Sequence, residues 1–405
     1  MRPAAMRAVD CSPLDERVDQ DHSEEYRRIR EFIAESSAET PYLVFDTGMA
    51  ANRYRRLAAA FPDTQVFYAV KANPQPALLR TLVNLGSSFD VASRGEIEEC
   101  LAQGAAPESL SYGNPIKKVG DIRYAHQRGV RLFVFDSEAE LRKLAEHAPG
   151  ASVFCRILAS SAGAQWPLSG KFGCSPAMAA QLLVRARDWG LNPIGLSFHV
   201  GSQQLDPWRW EPSVAQAASV FAEVERHGIR LTMLNVGGGF PARYTQEVPD
   251  IGTYATAIRE AVRRHFGASA PAVAVEPGRY IAAEAGVLRA EVVLVSRKAH
   301  DDETRWVYLD VGRFGGLAET EGEAIQYRLA SGHGAGPDGP VVLAGPTCDS
   351  VDILYQRAGY RLPLALTSGD QVDILAAGAY TATYSSVGFN GFGPLPTFCI
   401  GDDNE

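Results

Sequence analysis

Lys71 closes an apolar run, Val66-Phe67-Tyr68-Ala69-Val70, and the chain breaks just after it at Asn73-Pro74. Such a run suits a strand buried on both faces, where a charged, unpaired amine costs several kcal/mol. An amine held among apolar walls and other cations loses basicity and becomes nucleophilic near neutral pH. Its natural partner is a carbonyl, and the product is a Schiff base. The same lysine could instead close a structural ion pair with Asp90 or Glu276.

A second unusual stretch is "NVGGGFP", which holds Gly237, Gly238 and Gly239. Consecutive glycines let backbone N–H groups approach an anion with no side chain in the way, and they also serve any tight turn that needs positive φ. Arg279, in "EPGRY" with Glu276 and Gly278, is suited to pairing with a phosphate. A nucleophilic lysine, a phosphate cradle and an uncommitted glutamate together suggest pyridoxal 5′-phosphate. Lys71 would hold the aldehyde, the glycines and Arg279 the phosphate. Glu276 would keep the pyridine nitrogen protonated, which makes the ring an electron sink. His199, in "SFHVGSQ", is a lone histidine on an apolar strand. It is either a satisfied core residue or a flat partner for the ring.

These residues need a frame that brings them together. Short β-rich runs at 66–70, 88–93, 110–113, 131–136, 152–157, 194–200, 231–237 and 272–278 alternate with helical stretches such as "RGEIEECLAQG" and "SPAMAAQLLVRARDWG". That alternation means parallel strands with crossover helices. Eight of them predict a (β/α)8 barrel, whose chemistry gathers at the C-terminal ends of its strands. An open doubly wound sheet would carry its glycine-rich turn after the first strand. Here the triple glycine follows the seventh. Lys71, Asp90, Arg156, His199, the glycines and Glu276 then all fall at one mouth. After about residue 285 strands follow one another without long helices, punctuated by Gly and Pro, which predicts an antiparallel β domain. The expected organisation is a polar N-terminal arm over 1–39 packing with the β domain, a barrel over 40–284 and the β domain over 285–405. The stretch 329–340 reads as a loop.

The net charge of −9, without any Lys/Arg-dense run, argues against nucleic-acid binding as the main task. The six cysteines, Cys11, Cys100, Cys155, Cys174, Cys348 and Cys399, show no metal-like spacing, so neither a zinc site nor a disulfide framework is expected. With no signal-peptide-like or membrane-spanning run, a cytoplasmic location with no membrane partner is the expectation.

The motifs "FYAVKAN", "FDVASRGEIE", "YGNPIK", "KFGC", "SFHVGSQ", "NVGGGFP", "EPGRY", "GPTCDSVD" and "GAYT" with "FNGF" resemble the fold-type III pyridoxal-phosphate decarboxylases of ornithine, arginine and diaminopimelate. The likeness runs from about residue 40 onward, and its C-terminal part is most similar to bacterial ornithine decarboxylases. It implies an alanine-racemase-like barrel plus β domain, and conversion of L-ornithine to putrescine and CO2 in polyamine biosynthesis. It also implies Lys71 as the Schiff-base lysine, His199 on the ring and Glu276 on the pyridine nitrogen. Ser202, Gly238, Gly239, Gly278, Arg279 and Tyr380 would take the phosphate, while Asp90, Glu96 and Arg156 position lysine and cofactor. Cys348 would reprotonate the decarboxylated carbon. Asp349, Glu323 and Phe389 would meet the substrate, Asp349 at its distal amine. A homodimer with shared sites is implied, Cys348 and Asp349 reaching across from the partner. The relatives commonly have an acidic residue where this chain has Gly322, which leaves lysine, arginine or a modified diamino acid in a specialised pathway as alternative substrates, and a catalytically inactive regulatory homologue as the alternative of another class. Glu323 could take that role or lie on a solvated helix face.

Overall fold

The computed structural model describes residues 23–168, 170–332 and 336–401. Two compact units divide them, one of residues 51–241 and 248–280, the other of residues up to 50, 242–247 and 281 onward.

The first unit is a closed barrel of eight parallel strands. In chain order they are β1 (Thr64–Ala69), β2 (Ser88–Val91), β3 (Leu110–Tyr112), β4 (Leu132–Phe135), β5 (Ser152–Arg156), β6 (Asn192–Ser197), β7 (Met233–Asn235) and β8 (Ala272–Val275). Each expected strand is present, and β8 closes the ring by pairing Val275 with Val66 of β1. These runs are apolar at successive positions because both faces are covered, one by the barrel interior and one by helices. Phe67, Val134, Phe154, Met233 and Ala274, from five different strands, fill the interior. Gly195 lets β6 meet β7, since a Cβ there would sit 2.0 Å from the Met233 carbonyl oxygen. Four of the helices start on side-chain caps: Ser93 before Arg94–Ala102, Ser137 before Glu138–His147, Ser175 before Pro176–Asp188 and Asp250 before Ile251–Phe266. Each cap satisfies a first-turn N–H and turns the chain out of its loop.

The second unit is built on β9 (Gly286–Ser296). With β10 (Arg305–Leu309), β11 (Arg328–Ser331), β12 (Asp338–Ala344), β13 (Ile353–Tyr355) and β15 (Gln371–Leu375) it forms a sheet in the order β11-β15-β9-β10-β12-β13. Strand β14 (Arg361–Pro363) pairs with β12. The unit is mixed rather than purely antiparallel: β10 runs parallel to β12, and the segment Tyr42–Asp46 runs parallel to β16 (Thr397–Ile400). Tyr42–Asp46 also pairs antiparallel with β9 and is buried along its whole length. Residues 40–50 therefore join the β unit, where the sequence places the start of the barrel. The helix Ser23–Glu35 buries Tyr26, Ile29 and Ile33, and its Phe32 ring lies 5.4 Å from that of Phe398. The rest of the expected arm, residues 1–22 with Cys11, lies outside the described residues. The expected loop is shorter than 329–340, because its ends belong to β11 and β12. No helix among the described residues is long and apolar enough to cross a membrane.

One ion pair stands out in this sheet. Arg289 on β9 sits directly opposite Asp373 on β15, with Nε and Nη2 each 2.8 Å from a carboxylate oxygen. Such bidentate pairing matches guanidinium to carboxylate in shape as well as charge. Arg289→Met leaves the buried Asp373 carboxylate without that partner. It should destabilise the protein by about 3 kcal/mol, at the lower end for breaking a buried pair. The double change Arg289→Met with Asp373→Leu should recover most of the loss in denaturant unfolding.

Candidate active site

In the barrel unit, β1 runs into a single 3-10 turn, Val70–Ala72, which presents Lys71. The amine is not sealed in as the apolar run predicts: the side chain is 47% exposed, and Nζ lies 3.0 Å from Asp90 Oδ2. Asp90, on the neighbouring β2, is buried, and its Oδ1 has no hydrogen-bond partner. Gly113 makes room for that oxygen, since a Cβ there would come within 1.8 Å of it. The carboxylate partner is the one read from the sequence, while the open approach to the amine is not.

Glu96 belongs to the tier below. The cap Ser93 accepts from the Glu96 N–H, and the Glu96 carboxylate accepts from Ala92 N–H at 2.6 Å. This is a capping-box arrangement displaced by one residue. Burial raises the Glu96 pKa, and the charges of Lys71 and Asp90 both act on it. Arg156 ends β5 with its guanidinium 5.7 Å from the centroid of Phe172.

His199 follows β6. Its Nδ1 accepts from the Gly201 N–H at 3.1 Å, which leaves the ring proton of the neutral form on Nε2. Burial, then the positive charges of Arg156 and Lys71, hold the imidazole well below its ordinary pKa. It is a neutral, flat group at neutral pH. Glu276 follows β8. Asn235 Nδ2 donates to its Oε1 at 2.6 Å, and Asn235 Oδ1 accepts from the Gly237 N–H at 2.9 Å. Burial, reinforced by the charge of Asp90, pushes Glu276 up to about 7. One asparagine thereby ties the glutamate to the glycine turn. Sequence reasoning misses it, although a polar residue ending β7 is a visible signal.

The glycines are required by close approach. A Cβ on Gly237, Gly238 or Gly239 would meet the carbonyl oxygen of Phe198, Glu276 or Gly201 at 2.3, 2.4 and 2.4 Å. Gly237 and Gly239 also hold positive φ, at 71° and 102°. Gly238 lies against His199 too, since a Cβ there would come within 3.3 Å of Nε2. Arg279 is buried, and its Nε and Nη2 both donate to Ser202 Oγ, at 3.2 and 3.1 Å. Gly278 is buried beside it, following Pro277, whose carbonyl accepts from Ala69 N–H of β1.

This donor set fits pyridoxal phosphate. An amine for the aldehyde is exposed at Lys71, a carboxylate for the ring nitrogen is held at Glu276, and a neutral ring stands at His199. A bare backbone turn and a buried arginine–serine pair suit the phosphate.

The remaining expected residues lie in the β unit. Cys348 is exposed, in the loop after β12. The loop is shaped by buried Asp352, whose carboxylate accepts from Arg313 N, Thr347 N and Thr347 Oγ1. Asp349 turns one oxygen onto the Val351 N–H at 3.0 Å. Phe389 packs against Phe314 with ring centroids 4.8 Å apart. Tyr380 sits after β15 at φ 64°. Glu323 is engaged elsewhere: its Oε1 accepts from Gln356 N at 2.9 Å and Arg357 N at 2.8 Å.

Comparison with known proteins agrees with this chemistry. Residues 48–283 match the family model described as pyridoxal-dependent decarboxylase, pyridoxal binding domain. The decarboxylase flvG of Aspergillus flavus is 36% identical, over 87% of this chain and 84% of its own. The lysine/ornithine decarboxylase of Selenomonas ruminantium is also 36% identical, over 90% of this chain and 91% of its own. Among solved structures, the lysine/ornithine decarboxylase of Vibrio vulnificus complexed with cadaverine superposes with TM-score 0.82 at 33% identity, covering 95% of this chain and 99% of that one.

Proposed function

The chain belongs to the pyridoxal-dependent decarboxylases of basic amino acids, and from that premise we propose that it converts L-ornithine to putrescine and CO2. The observation that supports this reading is the Lys71–Asp90 pair, with Glu276 and His199 close enough for Lys71 to act on the pKa of each. When bound, pyridoxal phosphate supplies the electron sink that takes up the pair released as the carboxylate departs.

The chain's own groups do the rest. Asp90 holds the Lys71 amine in place, where the cofactor aldehyde would meet it. His199 offers an uncharged face, so it adds no cation beside the ring. Glu276, tethered by Asn235, holds positive charge at the ring nitrogen. In this reading two copies share sites: Cys348 and Asp349 of one copy serve the barrel of the other. Asp349 keeps an oxygen for the distal ammonium. Cys348 Sγ delivers the proton that replaces CO2 at the substrate carbon, a general-acid transfer that a thiol can make.

A second reading, lysine to cadaverine, has an observation in its favour. Glu323 is tied to the 356–357 turn, and Gly322 adds no side chain, with nothing within 4 Å of where a Cβ would lie. Fewer carboxylates and more room there suit a longer chain. A panel of ornithine, lysine, arginine and diaminopimelate, read by CO2 release and amine identification, decides between them. Ornithine is expected to lead lysine in kcat/KM by about tenfold, the low end for one methylene. Faster cadaverine formation would transfer the assignment to lysine. Cys348→Ala should keep the cofactor colour while slowing amine formation by about 10²-fold. Wild-type rates and products in that variant would remove the thiol from the reaction.

A further inference from the structure

Cys348 does not stand alone in its loop. Its backbone N–H donates to Asn390 Oδ1 at 3.1 Å, and its Sγ lies 3.5 Å from the same oxygen. A single acceptor shared by the N–H and the S–H of one residue fixes the thiol's rotamer and the direction of its proton. Asn390 is itself held in an uncommon backbone state, φ 51°. Asparagine tolerates that left-handed region better than most residues. The surrounding turn enforces it: Gly388 N donates to the Phe392 carbonyl, Gly391 N to that of Gly388 and Phe392 N to that of Phe389. The turn therefore sets two neighbouring side chains at once, Phe389 against Phe314 and Asn390 against Cys348.

We propose that Asn390 is a positioning residue for proton delivery, keeping the Cys348 proton on sulfur and aimed from one fixed rotamer. The proposal rests on the reading of Cys348 as the proton donor. A carbonyl oxygen at this distance accepts from the thiol and repels a thiolate, so it favours the protonated form that a proton donor needs. The loop has anchors other than Asn390. Asp352 holds Arg313, Thr347 and the Gly345 N–H on its own, the last through its backbone carbonyl. Removing the asparagine should free the thiol without unfolding the loop. The adjacent charge, Asp349, is capped onto Val351 and is the same in every variant.

The test is the pH dependence of Cys348 alkylation by iodoacetamide, resolved by peptide mass spectrometry, on the full chain with two variants. Asn390→Asp keeps the shape but places an anion beside the sulfur. It should raise the alkylation midpoint by about one unit and slow reaction at neutral pH about tenfold. Asn390→Gly keeps the left-handed backbone and removes the acceptor. It should lower the midpoint and speed alkylation several-fold, while kcat for amine formation falls several-fold and KM holds. Should one variant fail to fold, the other still carries the sign of the shift. Wild-type alkylation profiles in the folded variants would overturn the role of Asn390 whatever the turnover. Shifted profiles, with Cys348→Ala turning over normally, would keep the contact but overturn the reading on which its function rests.

Discussion

Lys71→Ala is expected to lower CO2 release by more than about 10³-fold, on the scale that follows removal of a positioned catalytic group. It should also abolish the visible absorption that lysine-bound cofactor gives and that borohydride bleaches in the wild type. The cause is local. Lys71 is the amine that the 3-10 turn after β1 presents, held 3.0 Å from Asp90. Lys71→Arg should fail almost as fully, because a guanidinium stays charged and is no nucleophile at neutral pH, however well it pairs with Asp90. If shared sites are correct, mixing Lys71→Ala with Cys348→Ala restores part of the turnover, because one site of each mixed dimer has both groups intact. Two inactive variants that stay inactive after exchange of subunits would rule out sharing, while wild-type turnover in Lys71→Ala would remove the lysine from the chemistry.

How far the sequence discloses this site depends on the range of the interactions. The barrel strands are legible because each is short, apolar on both faces and followed by its own helix, so the signal is contained within a few tens of residues. The residues ending those strands are legible for the same reason: a lysine, a histidine and a glutamate interrupt runs that are otherwise almost wholly apolar. Tyr42–Asp46 is misplaced by sequence because its partners lie far along the chain, Leu43 opposite Leu288 and beside Thr397. Nothing local distinguishes it from another barrel strand. The apolar run predicts an enclosed Lys71, since such neighbours cannot disclose that the 3-10 turn carries the side chain out to the mouth. Glu323 illustrates the opposite limit. Its acidic neighbours suggest a helix face or a substrate ligand, yet it turns back to cap the backbone at 356–357, at φ 61°. Asn235 and Asn390 act by fastening other functional groups. Asn390 is 42 positions from the thiol it meets, and only the folded chain brings them together.

Glu276→Gln makes the second large change, and here pH supplies the diagnostic. The amide can still accept from Asn235, so the turn around Gly237 should persist. It cannot hold positive charge at the ring nitrogen, and turnover should fall by about 10²–10³-fold, comparable to losing one preorganised electrostatic partner. In the cofactor-free protein the same substitution has a sign that can be worked out. Burial and Asp90 raise folded Glu276 to about 7, above the ordinary carboxylate range that it has when unfolded. Between those values the folded chain retains a proton that the unfolded chain has released. Stability therefore falls as pH rises through this window and levels off above it. The substituted amide has no proton to lose, so the variant should gain on the wild type across the window, by up to about 3 kcal/mol, and match it at lower pH where Glu276 is protonated in both states. Denaturant unfolding of both proteins at several values from about pH 4 to 8 measures the difference. Parallel curves would mean that Glu276 ionises normally in the fold, and the carboxylate would lose its claim to being held back for a cationic partner.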